Sequence, residues 1–309
     1  MDKYIVNAKL EESLQYNGNI MTPLTSSSIN FCHIAPTKYL KEYTSTNGAH
    51  LILAHLVEQD AAYCEFYKNI EYTYKIMDNS AFEMFKQNRP MYNSAKLISM
   101  GDACQADCIV MSDYPKEDWK KTRDAAFDMI RPIRSAGFDA FYVPQSQLGD
   151  LDGLIRSIDW ALSNDQIRLI GLSILSCPIA MGIDESLSVL DRGDAYKLQR
   201  YMSRYSVFKA LDDAGILNER ALKRFHCLGM MDGPNEIDIL KPYHRYIWSW
   251  DSSAAVWCGL NGIEFDKSPT GLRRGKFEIE VDFSWDIGYI NEHTVNQNIN
   301  YINGKVRNV

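Results

Sequence analysis

The sequence predicts an α/β protein built as a (β/α)8 TIM barrel, with an inserted loop after strand six and a C-terminal extension. Two observations predict it. Eight short, apolar, β-rich runs alternate with longer segments of helical period. Polar residues cluster where those runs end, and in a barrel those ends meet on one face.

The strands are expected at SINFCHIA (28–35), HLILAHLV (50–57), YTYKIM (72–77) and DCIVMS (107–112), then at DAFYVP (139–144), IRLIGLS (167–173), RFHCLG (224–229) and RYIWSW (245–250). Helical patterns fill the intervals, as in Lys116–Ala136, Leu148–Ser163, Tyr196–Ala214 and Pro234–Tyr243. Ala136-Gly137 and Ala214-Gly215 supply helix stops. Such alternation calls for a parallel sheet with helical crossovers, and eight strands favour closure, although a doubly wound open sheet fits the same pattern. Ser176–Asp194 is the expected insertion. The segment Glu264–Asp282 opens the extension, with a last helix near Trp285–Ile302. With no internal repeat or low-complexity linker, residues 1–309 are assigned to one catalytic domain, of which 264–309 form the extension.

Composition sets outer bounds. A hydrophobic fraction of 46% and a charged fraction of 24% are ordinary for a globular chain. No apolar run is long enough to span a bilayer, and MDKYIVNAKLEESLQYNGN lacks the apolar core of a signal peptide, so a cytoplasmic protein without membrane contact is expected. Seven scattered cysteines fit a reducing compartment better than a disulfide scaffold. A net charge of −7 argues against a surface coated in positive charge but leaves room for a local basic groove. Oligomeric state is not legible.

The chemistry lies at the strand ends. Strand three ends in Asp78-Asn79-Ser80-Ala81-Phe82-Glu83, strand four in Asp113 and strand five in Pro144-Gln145. Strand six carries Gly171-Leu172-Ser173, strand seven ends in Gly229-Met230 and strand eight in Asp251-Ser252-Ser253. Any one of these acids taken alone is more simply explained as an Asx turn or helix cap. Three acids, a glutamine and a glycine at successive strand ends predict a barrel enzyme that works with carboxylates.

These segments, in this order, resemble the guanine transglycosylases, which exchange a nucleic-acid guanine for a 7-deazaguanine. MDNSAF (77–82) is similar to that family's Asp-Ser-Gly-Gly-Phe motif, and ADCIVMSD (106–113) to its strand ending in a base-reading Asp. AFYVPQSQLGDL (140–151) resembles the segment with a base-contacting Gln, and LIGLS (169–173) the Gly-Gly-Leu-Ser strand. HCLGMMDGPNEI (226–237) resembles the Leu-Met-Gly-Val-Gly-x-Pro stretch, and IWSWDSS (247–253) the segment bearing the nucleophile. The resemblance runs from about Asp78 to Asp251. It implies Asp251 as covalent nucleophile, Asp78 as acid/base, Phe82 stacking on the base, and Asp113 and Gln145 reading it. Gly171, Leu172 and Gly229 would line the base site, and no cofactor is implied.

The departures narrow the substrate. Family members acting on tRNA carry a Cys-x-Cys-x-x-Cys plus His zinc site beyond the nucleophile, whereas here that region holds only Cys258 and His293 of those types. No metal is therefore expected, and the chain looks more like the DNA-acting branch, often encoded by phages. DNA and a 7-deazaguanine base are the expected partners, in a bacterial or phage-infected cell. A zinc-less tRNA-guanine transglycosylase, a catalytically silent nucleic-acid-binding member and a metal-dependent barrel hydrolase are the alternatives. Lys267, Arg273, Arg274 and Lys276 are candidate phosphate contacts, and equally a solvated loop. Cys104 and Cys108, at helical i,i+4 spacing, could bind a metal but without a nearby His or second Cys pair are expected in the core. His33 and His55 are expected as core or pocket-lining residues, and Trp248, Trp250 and Trp257 as barrel packing. No Gly-rich phosphate loop is present.

Overall fold

The computed structural model describes residues 28–184, 194–272 and 291–307. Eight parallel strands form one sheet: β1 (Asn30–His33), β2 (Ala49–Leu53), β3 (Tyr74–Asp78), β4 (Cys108–Val110), β5 (Asp139–Tyr142), β6 (Ile167–Ser173), β7 (Phe225–Leu228) and β8 (Ile247–Ser252). Their order is β1-β8-β7-β6-β5-β4-β3-β2, each strand parallel to its neighbour, so the sheet curls into a nearly closed (β/α)8 barrel. At the seam between β1 and β2 a side chain replaces the strand ladder. The buried Asn47 accepts from His33 N at 3.0 Å and donates to His33 O at 3.1 Å.

The strands hold because they are buried on both faces, as parallel strands under helices must be. The crossover helices start on side-chain caps. Asp60, Asn93, Asp118 and Asp150 each accept backbone N–H groups from the first turns of Ala61–Lys68, Ser94–Cys104, Trp119–Ser135 and Leu151–Leu162. Gly137 and Gly215 follow their helices with φ of 93° and 69°, the expected stops. Lys75 is buried and points its ammonium at the carbonyls of Tyr67, Ile70 and Cys104, at the ends of two helices. The C-terminal helix Glu292–Arg307 packs on Ala254–Leu260. There Asn298 Nδ2 donates to Ala255 O and Ile263 O while its Oδ1 accepts from Phe265 N at 2.8 Å.

Several boundaries differ from the sequence expectation. The run 50–57 divides: β2 stops at Leu53, and Ala54–Gln59 turns into a helix that carries His55. Tyr196–Ala214 is two helices, Asp194–Tyr201 and Ser203–Asp213. Pro234–Tyr243 resolves into a short helix, Glu236–Ile239, and the 3-10 turn Lys241–Tyr246. Cys104 ends a helix while Cys108 lies in β4, so they share no helical face, and both are buried. Trp248, Trp250 and Trp257 are buried as expected. The expected insertion opens with the helix Ser176–Ala180, and its residues 185–193 lie outside the described residues. The last helix is described over Glu292–Arg307, and residues 285–290 of its expected span lie outside the described residues.

Candidate active site

Asp251 is the penultimate residue of β8 rather than a residue beyond it. That placement removes the capping explanation, since Ser252 Oγ, not Asp251, accepts from Ala254 N. Strand alternation places Ser249 and Asp251 on one face of β8 and Trp248 and Trp250 on the other. Across the β7–β8 pair stands His226, with no exposed surface. Its Nε2 lies 2.9 Å from Asp251 Oδ1 and its Nδ1 2.6 Å from Ser249 Oγ. Gly229, with φ of 71°, turns its N–H toward the same Asp251 oxygen at 3.1 Å. Asp251 Oδ1 thus has two donors, whereas Oδ2 accepts no hydrogen bond from the described residues.

Asp78 ends β3. Its Oδ2 accepts from Ser80 N at 2.9 Å, an Asx-type turn, so here the local-turn explanation is correct but incomplete. Burial raises its pKa well above the usual carboxylate range, and the charges of Glu83, Asp251 and Asp113 push the same way. Burial at this site therefore favours the protonated form of Asp78. Ser80 is fully buried in the left-handed region (φ 53°, ψ 34°), and its Oγ lies 2.9 Å from His55 Nδ1. Glu83, 3.9 Å from that His55 nitrogen, is pushed up to about 7 by burial with Asp251 adding to it. Two acids whose protonated forms are favoured thus share the field of Asp251.

Asp113 is buried beyond β4 and accepts from two amides. Asn79 Nδ2 donates to Oδ1 at 2.7 Å and Gln145 Nε2 donates to Oδ2. Burial raises Asp113 to about 6 against the pull of both donors. Asn79 also donates to Met111 O at 2.6 Å and accepts from Ala81 N at 2.8 Å, which ties the end of β3 to the end of β4. Gln145 is 1% exposed, and its Oε1 has no partner among the described residues. An unpaired buried acceptor next to a carboxylate is arranged to receive N–H donors.

The remaining expected residues fall as follows. Gly171 lies beside His226 in the β6–β7 register, and the place of its missing Cβ is taken by Phe141 and Leu228. The Phe141 ring then meets His226 edge-on with centroids 5.4 Å apart, so Gly171 makes room for the wall behind the histidine. Leu172 is buried. Phe82 is 37% exposed, with Lys86 Nζ 4.4 Å from its ring centroid. Lys267 is exposed and lines a cleft of about 370 Å³ with Lys241, Lys305, Asp238, His244 and Tyr301, none of them a carboxylate-site residue. Arg273, Arg274 and Lys276 lie outside the described residues. Among the described residues, no three His, Cys, Asp or Glu side chains converge as a metal site requires, and no helix is long and apolar enough to cross a membrane.

Sequence reasoning missed Asn79 as a clamp, Glu83 as an acid of the site and the pair His226–Ser249. For the last, a signal existed: in WSWDS (248–252) polar and aromatic residues alternate, placing Ser249 and Asp251 together. The chain matches no protein-family model and no curated protein sequence.

Proposed function

We propose that the protein is a transglycosylase that exchanges guanine in DNA for a 7-deazaguanine base through a covalent Asp251–sugar intermediate. The observation that carries this reading is the division of labour among the carboxylates. Burial favours the protonated form of Asp78, while Asp251 has one oxygen anchored by two donors and the other accepting no hydrogen bond from the described residues. Glycosidic exchange with retention needs such a pair, a proton donor and a nucleophile.

Asp251 Oδ2 attacks C1′ of the target nucleotide as guanine departs with the proton of Asp78. Asp78 then receives the N9 proton of the incoming 7-deazaguanine. Asp113 and Oε1 of Gln145, which has no partner among the described residues, accept from the N–H groups on the Watson–Crick edge of the base. Phe82 stacks on it, and the backbone of Gly171, Leu172 and Gly229 lines the rest of the base site. The target base must leave the duplex or be presented in a single strand. Lys267, with Arg273, Arg274 and Lys276, contacts phosphates.

The left-handed backbone at Ser80 also favours the reading, because that position is a glycine in the Asp-Ser-Gly-Gly-Phe motif. DNA is chosen over tRNA because only Cys258 and His293 stand where a tRNA-acting relative has its zinc ligands. The setting is the cytoplasm of a bacterial or phage-infected cell.

The test supplies a labelled 7-deazaguanine with duplex DNA, single-stranded DNA or tRNA, and reads the label incorporated. Label in DNA is expected; label in tRNA alone removes the DNA assignment, and none in any polymer removes the activity. Asp251→Ala abolishes the denaturation-resistant protein–DNA adduct and lowers exchange at least about a thousandfold. Full exchange by that variant assigns the nucleophile elsewhere.

A further inference from the structure

We infer that His226, oriented by Ser249, is a positioning residue that stabilises Asp251 as the departing carboxylate when the covalent intermediate is resolved; the inference rests on the exchange chemistry proposed above.

Asp251 must leave as readily as it attacks. In the first step the Oδ2 electron pair forms the bond to C1′, and the C1′–N9 pair departs with guanine, which takes the proton of Asp78. In the second, N9 of the incoming base bonds to C1′ and its proton passes to Asp78. The C1′–Oδ2 pair then returns to Asp251. The ester is neutral and the carboxylate is charged, so donors on Oδ1 stabilise the free enzyme more than the adduct. A barrel without them would favour the ester and turn over slowly.

The structure supplies two such donors, Gly229 N at 3.1 Å and His226 Nε2 at 2.9 Å. The histidine donates only in the tautomer with its proton on Nε2. The Asp251 carboxylate, which only accepts, calls for the proton on Nε2, and Ser249 Oγ, 2.6 Å from Nδ1, complements that tautomer by donating its own hydrogen there. His226 and Ser249 have no exposed surface, so water does not compete for either bond. The Phe141 ring, admitted by the absence of a Cβ at Gly171, packs edge-on against the imidazole with centroids 5.4 Å apart and backs it from behind. Ser, His and Asp in a row also suggest a hydrolytic triad, but the wrong member is buried for that chemistry. Ser249 has no access to a substrate, while Asp251 stands at the strand end. The chain of hydrogen bonds therefore runs toward the aspartate.

The experiment compares wild type, His226→Phe, His226→Gln and Ser249→Ala on the polymer that the wild type accepts. Two quantities are read: the exchange rate, and the steady-state fraction of protein held as denaturation-resistant adduct. In His226→Phe the ratio of adduct to free enzyme is expected to rise roughly tenfold while turnover falls. His226→Gln restores an N–H donor and returns both quantities toward wild type. Ser249→Ala shifts both in the direction of the Phe variant by a smaller factor, and it decides the question if His226→Phe does not fold. Loss of turnover without adduct accumulation, or a Gln variant no better than Phe, overturns the inference while leaving the exchange activity standing. A wild-type protein that exchanges no base and forms no adduct overturns the exchange reading, and the inference with it.

Discussion

At the scale of single residues, each carboxylate of the site owes its character to one or two neighbours. Asp113 is the clearest case, because burial raises it to about 6 and the donors Asn79 and Gln145 hold it from going higher. If Asp113 must be ionised to accept the N–H groups of the base, exchange rises with pH through about 6 in the wild type. Asn79→Ala removes one donor, so the proton is held more tightly and the acidic limb of kcat/KM moves to higher pH. Loss of a charge-assisted hydrogen bond should also weaken base binding by about tenfold. A profile with the same limb in both proteins refutes the assignment of Asp113 to base reading. Asp78, Asp113 and Asp251 were legible in the sequence because each ends a strand. Their partners were not, because Asn79 and His226 become partners only when neighbouring strands fix the register. A linear pattern gives the face of a residue and not what stands opposite it.

At the scale of elements, the buried pair Arg204–Glu236 holds the segment that delivers Gly229 to Asp251. Arg204, on the helix Ser203–Asp213, donates to Glu236 Oε1 at 2.6 Å and to the carbonyls of Leu228 and Gly229. Its guanidinium lies 5.2 Å from the Trp250 ring centroid, and Trp250 Nε1 donates to Gly229 O at 2.9 Å. Glu236 returns the tie by accepting from Met231 N at 2.7 Å. Removing one charge of such a pair leaves the other stranded, whereas removing both does not. Arg204→Met should therefore lower unfolding free energy by about 3–5 kcal/mol. Arg204→Met with Glu236→Gln should recover a large part of it, as read by urea denaturation. A single variant no less stable than the double shows that the pair carries no such coupling. The eight strands were legible because their runs are short, largely apolar and β-rich. The run 50–57 misled for the same reason: Ala54, His55 and Leu56 are buried in a helix as fully as they would be in a strand. An apolar run without alternation does not show where its period changes.

At the scale of the whole molecule, alternation of strands and helices left open whether the sheet closes, and the closing contact is one that no periodicity encodes, the side chain of Asn47 at the β1–β2 seam. What closure gathers at the strand ends has a cost that varies with pH. Burial raises Asp78 well above its ordinary range, Asp113 to about 6, and Glu83 and Glu236 to about 7. Between roughly pH 4 and 7 the folded state therefore holds more protons at these groups than the unfolded chain does, and the stability they contribute falls as pH rises. His33, His50 and His55 are lowered to about 4 by burial, so through the same window they bind protons in the unfolded chain and not in the fold. Their contribution rises with pH, and the two slopes oppose each other. Glu83→Gln deletes one term from the acidic side only. Its unfolding free energy should then climb more steeply than that of the wild type from about pH 4.5 to 7, and exceed it at pH 7.5 by roughly 1–3 kcal/mol. Urea titrations of both proteins across that range measure the difference. Parallel curves imply that Glu83 is as well solvated in the fold as in the unfolded chain, and that its place beside Asp78 and Asp251 is not the low-dielectric acid site that general-acid chemistry requires.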